Sequence, residues 1–435
     1  MRWMPNLAIG LAGLGLGATI GSVLTNETRA QLTQAGGPAS FIGSLTGMVG
    51  SYLALLMVLL VSRLPLVERV MGQDGLLHWH RRLAPWPIGL LAAHAVFITI
   101  GYAQAAHSGL LHEVGTLLGS YPGIITATVG LALMLAIGLV SLRAIRSRLR
   151  RETWWIIHLY MYLALAISFA HVIALGPSFV GHPLARLMWS VLWAGTAGVV
   201  IIYRFGMPIF RSLRHRLTVV EVRHEAPGVV SIICRGQKLE RLRIRGGQFF
   251  EWRFLTPGLW WQAHPYSLSR LPQPRTLRLT VKDVGDHSRA LADLRPGTKV
   301  AFEGPYGAFT REACTQRKVA LIAGGIGVTA LRCLLEDLPR SSDPVVVLRA
   351  STEEDLVLHS EVAELVKDRR GRLHEVVGRR HEVALDGRTL LGLIPDLLRR
   401  DVFVCGPQGF VDDLSTILGS SGMPAGQLHY EAYAL

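Results

Sequence analysis

Six long apolar segments in the first 210 residues constrain this chain more than any other feature. They cover about residues 7–24, 41–62, 83–102, 121–142, 154–175 and 187–205. A helix needs about 20 mostly apolar residues to cross a hydrocarbon core about 30 Å thick, and each segment approaches that length. No comparable segment follows residue 210. The sequence therefore predicts an all-α membrane domain of six helices over residues 1–210, with soluble domains after it.

The placement of arginines predicts how this domain is oriented. They lie between segments two and three, between segments four and five, and after segment six, whereas the opposite loops hold only Arg29 and Arg186. Because positive charge accumulates in cytoplasmic loops, we expect both termini in the cytoplasm. Residues 1–210 hold 13 Arg, no Lys and 5 acidic residues, which supply +8 of the net charge of +14. The basic excess is therefore mostly topogenic, and no nucleic-acid partner is predicted.

The start of the chain has two interpretations. Arg2 followed by an apolar segment is also typical of a signal peptide. No A-x-A-like cleavage site follows, so we expect a retained first helix and six spans. The chain has 40 Arg and 5 Lys, a bias typical of GC-rich bacterial genomes, which favours a bacterial cytoplasmic membrane.

Four histidines within the apolar region form two pairs, His80 with His94 and His158 with His171. An imidazole in a lipid-embedded helix is costly and is usually kept for function. At about 1.5 Å per residue, the members of each pair lie roughly 20 Å apart along a helix, one near each membrane face. We therefore predict two haems with bis-histidine ligation, the inner one held by His80 and His158 and the outer one by His94 and His171.

The two pairs differ in helical phase. Fourteen residues fall about 40° short of four turns, so His80 and His94 share a face, whereas thirteen residues miss alignment by about 140°. The helix that carries His158 and His171 is therefore expected to be distorted or tilted, or to present its ligands from different azimuths.

The remaining candidate metal ligands favour no further metal site. His78 is the rival of His80 for the inner haem, and His107 and His112 lie in an outer loop where we expect them to be solvated. The cysteines form no C-x-x-C pair, so neither an iron–sulfur cluster nor a zinc site is predicted. They all fall on the predicted cytoplasmic side, where disulfides are rare: Cys234, Cys314, Cys333 and Cys405.

After residue 215 the pattern predicts an antiparallel β-barrel domain over residues 211–313. Short β-branched runs at 217–222, 229–234 and 277–281 are divided by Gly and Pro. The tetrapeptide His264-Pro265-Tyr266-Ser267 offers an aromatic face for a flat ring and a hydroxyl for a ring nitrogen; a strand end with a turn proline is the alternative. A cation, a permissive backbone and a hydroxyl suited to a diphosphate follow in Lys282, Gly285 and Ser288.

Residues 314–435 are predicted to form a doubly wound α/β domain. From Val319 the chain has the pattern of a buried strand, a glycine turn and an amphipathic helix. Such a unit binds a pyrophosphate at the helix amino end, with Gly324, Gly325 and Gly327 allowing the close approach. A glycine turn alone is a weak signal, but strands at 345–348 and 402–407 support it here.

Together these motifs resemble the flavocytochrome b family of NADPH oxidases and ferric-chelate reductases. The four histidines, HPYS at 264–267, GGIGVT at 324–329 and CGP at 405–407 occur in the family's order. The resemblance extends from about residue 65 to the carboxyl terminus, and it departs from the family at Ala330, where a proline is usual. It implies a ferric reductase-like transmembrane haem domain followed by a ferredoxin reductase-type module that binds FAD and NAD(P).

The resemblance also implies roles for individual residues. Tyr266 would stack on the flavin and Ser267 would lie near its N5, while His264 stands where related soluble reductases have an arginine. Tyr433, at the end of Glu431-Ala432-Tyr433, would cover the flavin until nicotinamide displaces it; an exposed tail residue is the alternative. Other residues would contact the nucleotide, either at the pyrophosphate turn or beside the nicotinamide: Thr329, Cys405, Gly406 and Pro407.

The implied activity moves electrons from cytoplasmic NAD(P)H through FAD and two b-type haems to an acceptor outside. No side chain acts as acid, base or nucleophile; Ser267, Cys405 and Tyr433 would border the hydride-transfer site. NADPH is preferred over NADH because Arg349 ends a strand where an acidic residue would bind a ribose 2′-hydroxyl, and Arg379 follows the next strand. Surface arginines are the alternative interpretation of both.

Several alternatives stay open at the level of the sequence. A ferric chelate and O2 both fit as acceptor, as does a quinone or a periplasmic protein. A haem-free transporter or sensor that carries a regulatory reductase module is the competing hypothesis. The sequence determines neither the oligomeric state nor any partner subunit.

Overall fold

The computed structural model describes residues 4–26, 29–175, 179, 182–379 and 382–433. Contacts between residues divide the chain into two compact units, Met1–Gly206 and Met207–Leu435. Each unit has buried cores of its own, formed among helices in the first and on β-sheets in the second.

The described part of the first unit is helical. Its helices are α1 (Met4–Asn26), α2 (Arg29–Thr33), α3 (Gly37–Leu60), α4 (Pro65–Leu83), α5 (Pro85–Ala105), α6 (Leu110–Ser120), α7 (Ile124–Val140), α8 (Arg143–Arg146), α9 (Arg151–Leu175) and α10 (Pro183–Val199). Val200–Gly206 continues α10 as a π-helix.

The length and hydropathy of these helices support a membrane domain. Within the described residues, five helices are long and apolar enough to cross a bilayer, and α6 with α7 makes a sixth span if the pair counts as one. The two helices meet at 114°, so α7 covers only 17 residues of the predicted fourth span. A six-helix haem bundle therefore stays a prediction, while an integral membrane protein is supported.

The structure adds a helix before the third predicted span. Residues 65–83 form α4, and α5 begins only two residues later, at Pro85. Proline lacks the N–H that a helix interior requires, so the hydrogen-bond pattern is interrupted at Pro85. The backbone direction continues, because Ala84 keeps right-handed helical dihedrals. His80 consequently lies on α4 and His94 on α5.

Helices α3 and α5 pack closely because glycines line their contact. A Cβ on Gly43 would lie 2.7 Å from Ile98 Cγ1, and one on Gly50 would lie 3.1 Å from Leu91 Cγ. Small residues let two helix backbones approach in a membrane, where van der Waals contact and hydrogen bonds drive association. This close packing brings α3 carbonyl groups within reach of α5 side chains.

The second unit begins with α11 (Met207–His215) and an antiparallel sheet. The strands are β1 (Leu217–Ala226), β2 (Val229–Arg235), β3 (Phe249–Phe254), β4 (His264–Ser267), β5 (Thr276–Lys282) and β6 (Lys299–Tyr306), with α12 (Asp286–Ala290) after β5. Their order is β4-β3-β6-β1-β2-β5, and each pair is antiparallel, as predicted. Leu268, which directly follows β4, forms one isolated bridge with Leu279 of β5, the other edge strand. Closure into a barrel is not shown by this single bridge.

A parallel sheet follows, with strands β7 (Val319–Gly324), β8 (Val345–Ala350), β9 (Arg372–Val377), β10 (Asp401–Pro407) and β11 (Leu428–Tyr433) in the order β11-β10-β7-β8-β9. The helices are α13 (Val328–Asp337), α14 (His359–Asp368), α15 (Gly387–Leu393) and α16 (Gln408–Ser420). Alternate strand residues enter two separate cores, so the sheet is covered on both faces. The strand order reverses between β7 and β10, which is where ligands bind in open α/β sheets.

Candidate functional site

The four membrane histidines meet in pairs across helices. The ring centroids of His80 and His158 lie 6.2 Å apart, and those of His94 and His171 lie 6.1 Å apart. His78, the rival for the inner site, is exposed and packs edge-on against Trp79. The structure therefore brings together the pairs that the sequence suggested and leaves His78 outside them.

Backbone carbonyls determine which ring nitrogen carries the proton in two of these histidines. Nδ1 of His94 lies 2.8 Å from the carbonyl oxygen of Gly43, and Nδ1 of His80 lies 3.2 Å from that of Met57. A carbonyl only accepts hydrogen bonds, so Nδ1 must donate and Nε2 keeps its lone pair. This tautomer is the one that ligates a metal through Nε2.

The helix that carries His158 and His171 is not distorted, contrary to one of the expectations. Residues 151–175 are α-helical throughout, with no π or 3-10 turn. The two rings therefore leave α9 at different azimuths and still reach His80 on α4 and His94 on α5. The partners of His158 and His171 lie on two consecutive helices, His80 on α4 and His94 on α5.

In the second unit, the HPYS tetrapeptide forms β4 and presents a stack of rings. The ring of His264 lies 3.7 Å from that of His287, nearly parallel, and the Tyr266 hydroxyl is 3.2 Å from His287 Nδ1. Trp252 fixes the strand by donating from Nε1 to the Tyr266 carbonyl at 3.0 Å. Sequence reasoning missed His287, although it lies between the glycine and the serine chosen for the diphosphate.

The groups predicted to bind a diphosphate have protein partners in this structure. Lys282 Nζ forms an ion pair with Asp355 at 2.9 Å. The Ser288 hydroxyl accepts a hydrogen bond from Val284 N and donates one to the Gly285 carbonyl, both at 2.9 Å. These bonds hold the loop before α12, and a role at a diphosphate stays a prediction for Lys282, Gly285 and Ser288.

The glycine turn after β7 packs directly against the end of β10. Gly325 has φ +54°, which favours glycine, and a Cβ on Gly327 would clash with the Cys405 carbonyl oxygen. Thr329 closes the turn by donating to the Ile326 carbonyl at 2.9 Å. The predicted pyrophosphate turn and the predicted nicotinamide border are therefore neighbours at the point where the strand order reverses.

The carboxyl-terminal strand completes this cluster. Tyr433 donates from its hydroxyl to the Gly324 carbonyl at 2.8 Å, and Ser267 donates to Glu431 Oε1 at 3.4 Å. Glu431 pairs in register with Cys405. Burial, and then the Glu431 carboxylate, raise the pKa of the Cys405 thiol, which is therefore protonated at neutral pH. The sequence predicted no role for Glu431 itself, which appears there only as part of Glu431-Ala432-Tyr433. In the structure its carboxylate accepts a hydrogen bond from Ser267.

The two arginines considered for a 2′-phosphate have different surroundings. Arg349 donates from its guanidinium to the carbonyls of Ala350, Val376, Gly378 and Val383, at 2.6 to 3.1 Å. These bonds cap the carboxyl ends of β8 and β9. Arg379 follows β9 with an exposed side chain. The exposed Arg379 side chain is accessible to a phosphate, whereas Arg349 would first have to break hydrogen bonds to backbone carbonyls.

Comparison with known proteins finds one family model and several reductases that this chain is similar to. Residues 46–169 match the model of the family described as "Ferric reductase like transmembrane component". An NADPH oxidoreductase of Mycobacterium tuberculosis is 25% identical over 239 residues, which are 52% of this chain and 62% of that protein. A ferredoxin--NADP reductase B of Sorangium cellulosum is 28% identical over 187 residues, 39% of this chain and 77% of that one.

Among solved structures, the FAD/NAD binding domain of nitric oxide dioxygenase from Vibrio cholerae is 22% identical, with a TM-score of 0.41. The match covers 51% of this chain and 100% of that domain. This chain spans about half the length of several other curated relatives, such as glycine betaine monooxygenase reductase subunits at 50%.

Proposed function

We propose that this chain, a ferric-reductase-like transmembrane component joined to a ferredoxin-reductase-type FAD/NAD-binding module, is an oxidoreductase that moves electrons across a membrane. The donor is cytoplasmic NAD(P)H, the carriers are FAD and two b-type haems, and the acceptor is a small molecule outside, a ferric chelate or O2. The domains are residues 1–210, 211–313 and 314–435. The single observation that carries this proposal is the pairing of four histidine rings in the membrane unit.

The spacing of the paired rings fits one iron between each pair. Two metal–imidazole bonds of about 2 Å each, with about 1 Å from each nitrogen to its ring centre, place the centroids about 6 Å apart. The measured separations are 6.2 and 6.1 Å. His80 and His94 also donate from Nδ1 to backbone carbonyls, as metal-bound histidines generally do. The chemistry of this donor set suits low-spin haem and electron transfer.

The second unit supports a flavin and nicotinamide site. The ring stack of His264, His287 and Tyr266 offers aromatic faces, and Ser267 and Glu431 provide a hydrogen-bonding edge beside Cys405. The glycine turn places backbone N–H groups at the amino end of α13, where a pyrophosphate binds. The relatives named for NADPH and ferredoxin reductase activity support the same assignment.

The cofactors supply the redox chemistry, since a flavin accepts a hydride and releases single electrons that haem iron can carry. The protein orders them. Tyr433 donates to the Gly324 carbonyl at the glycine turn, and burial raises the pKa of its phenol, so its ring is neutral. The protonated Cys405 thiol is likewise no nucleophile.

An absorption spectrum of the purified full-length protein tests the proposal. We expect reduced b-type Soret and α bands after dithionite, with two haems per chain by pyridine haemochrome. No haem bands would contradict the proposal and favour a haem-free transporter or sensor that carries a reductase module.

The acceptor is tested in the same preparation. Dye reduction sensitive to superoxide dismutase reports O2 as acceptor, whereas colour with a ferrous chelator reports a ferric chelate. If NADPH reduces both haems and neither signal develops, the acceptor proposed here is wrong, and a quinone or periplasmic protein takes its place.

A further inference from the structure

A serine at the end of α7 joins the inner ligand His158 to the rest of the membrane unit. The Ser141 hydroxyl lies 2.8 Å from the Ile137 carbonyl, 3.2 Å from Trp154 Nε1 and 3.3 Å from His158 Nδ1. One oxygen therefore contacts three groups from two helices. None of these contacts was evident from the sequence, because Ser141 and His158 are 17 residues apart.

Counting donors and acceptors fixes the direction of each bond. A hydroxyl has one hydrogen to donate and two lone pairs to accept with. The Ile137 carbonyl can only accept, so it takes the Ser141 hydrogen. The Trp154 indole can only donate, so it uses one lone pair. The second lone pair faces His158, whose Nδ1 must then carry a proton and whose Nε2 keeps its lone pair.

An aromatic stack holds this arrangement in place. The centroids of the Trp154 and His158 rings lie 5.0 Å apart, and the ring planes make an angle of 25°. The Arg146 guanidinium carbon lies 4.3 Å from the centroid of the Trp154 ring. A cation over an indole face is attracted by the ring quadrupole. Trp154 therefore packs against His158 and also donates a hydrogen bond to Ser141, the residue that accepts from His158.

We propose that Ser141 is a positioning residue for the inner haem, which fixes the tautomer of His158 and lowers the midpoint potential of that haem. The inference rests on the proposed function, since it needs iron at the His80–His158 pair. A hydrogen bond accepted from Nδ1–H makes an imidazole a stronger donor, which favours ferric over ferrous iron. Ser141 does not touch the iron and acts only through His158.

The outer pair lacks one of these bonds. His94 donates to Gly43, but His171 Nδ1 is buried and makes no hydrogen bond with any residue in the described ranges. At the inner pair both ligands donate, His80 to Met57 and His158 to Ser141. The inner haem therefore has the more electron-rich ligands, which orders the two potentials so that an electron passes from the inner haem to the outer one.

Redox titration of the full-length protein, followed by optical and electron paramagnetic resonance spectra, tests this role. S141A should shift the lower of the two midpoints upward, leave the other in place, and change the low-spin g values of one haem only. S141T keeps a hydroxyl and should restore the wild-type midpoint. W154F loses the indole N–H but keeps a ring against His158, and it should leave the midpoint close to wild type because the bond from His158 to Ser141 survives.

S168A is the matched control, because Ser168 lies on α9 and its hydroxyl donates to the Ala164 carbonyl at 2.9 Å. Loss of the inner haem in S141A, with haem retained in S141T and S168A, would also support the proposal, because it shows that the Ser141 hydroxyl positions His158. Unchanged midpoints in S141A, or equal shifts in S141A, S141T and S168A, would overturn the proposal. A wild-type protein without bis-histidine haem contradicts the proposed function itself, so the two failures are distinguishable.

Discussion

Gly47 decides how closely the outer ligand His94 can approach α3. A Cβ at this position would lie 2.5 Å from His94 Nδ1, closer than real side chains come. The same nitrogen donates to the Gly43 carbonyl one turn earlier. One missing side chain therefore makes room for the imidazole, and the carbonyl exposed by a neighbouring glycine fixes its tautomer.

We expect Gly47→Ala to expel or misplace the outer haem, because a methyl group would displace His94 from its hydrogen bond. Haem content by pyridine haemochrome should fall from two toward one per chain. Gly89→Ala is the control on α5, since a Cβ there meets nothing within 4 Å. Two haems in G47A with unchanged spectra would show that His94 does not depend on this contact.

We predict that single residues also govern the choice of nicotinamide. Because the Arg349 guanidinium donates to four carbonyls, we expect Arg379, and not Arg349, to bind a 2′-phosphate at the carboxyl ends of the parallel strands. Arg379→Ala should raise the KM for NADPH by about tenfold, a loss of about 1.4 kcal/mol, and leave that for NADH in place. Exposed Arg388 supplies the control variant. Equal effects on both nucleotides would reject a 2′-phosphate contact.

At the scale of elements, a buried arginine ties three strand ends together. Arg400, 1% exposed, precedes β10 and donates to the Val319 carbonyl, where β7 begins, and to the Asp343 carbonyl, just before β8. Asp396 accepts from the same guanidinium at 2.7 and 3.0 Å. A desolvated guanidinium needs such partners. The Asp396 carboxylate therefore stabilises the amino ends of these parallel strands, and the glycine turn follows the opposite, carboxyl end of β7.

The Asp396 carboxylate should make stability depend on pH. Hydrogen bonds from Arg400, aided by Lys318, lower its pKa from 3.8 to about 2. A lowered pKa in the folded state stabilises the fold above about pH 4, and the effect is lost as the pH falls toward 2. Asp396→Asn should cost about 1.5–3 kcal/mol at pH 7, the net contribution of a hydrogen bond to a charged group, and little near pH 2.

Denaturant unfolding followed by tryptophan fluorescence at several pH values measures this cost. Exposed Asp412 provides a matched Asp→Asn control with no buried arginine beside it. A pH-independent difference between D396N and wild type would contradict the assignment.

The activity should divide into two separable half-reactions, because the four membrane histidines and the proposed flavin site at His264–Ser267 belong to different compact units. His94→Ala removes one ligand of the outer pair and should abolish reduction of external acceptors. Reduction of a soluble dye by NADPH, which needs only the flavin, should stay within about twofold of wild type. Electron export that persists in H94A would contradict the relay through the outer haem, whereas loss of dye reduction would contradict the separation of the halves.

The order of the motifs along the chain was predictable, because each depends on local pattern. Apolar segments, alternating strands and the turn at Gly324–Gly327 identify themselves within about 20 residues, and the structure confirms an antiparallel and then a parallel sheet. Contacts between distant residues were not predictable. Asp355 beside Lys282, and the carbonyls around Arg349, come from elements that the sequence does not show to be neighbours.

The sequence by itself determined that this chain has a membrane part rich in paired histidines and a nucleotide-binding part, since hydropathy and glycine spacing follow directly from residue chemistry. Tertiary structure decided that α9 stays regular and which ring nitrogens keep a lone pair. The physical reason is that a tautomer depends on the partner of the other nitrogen. Those partners, Met57, Gly43 and Ser141, come from packed helices far along the chain.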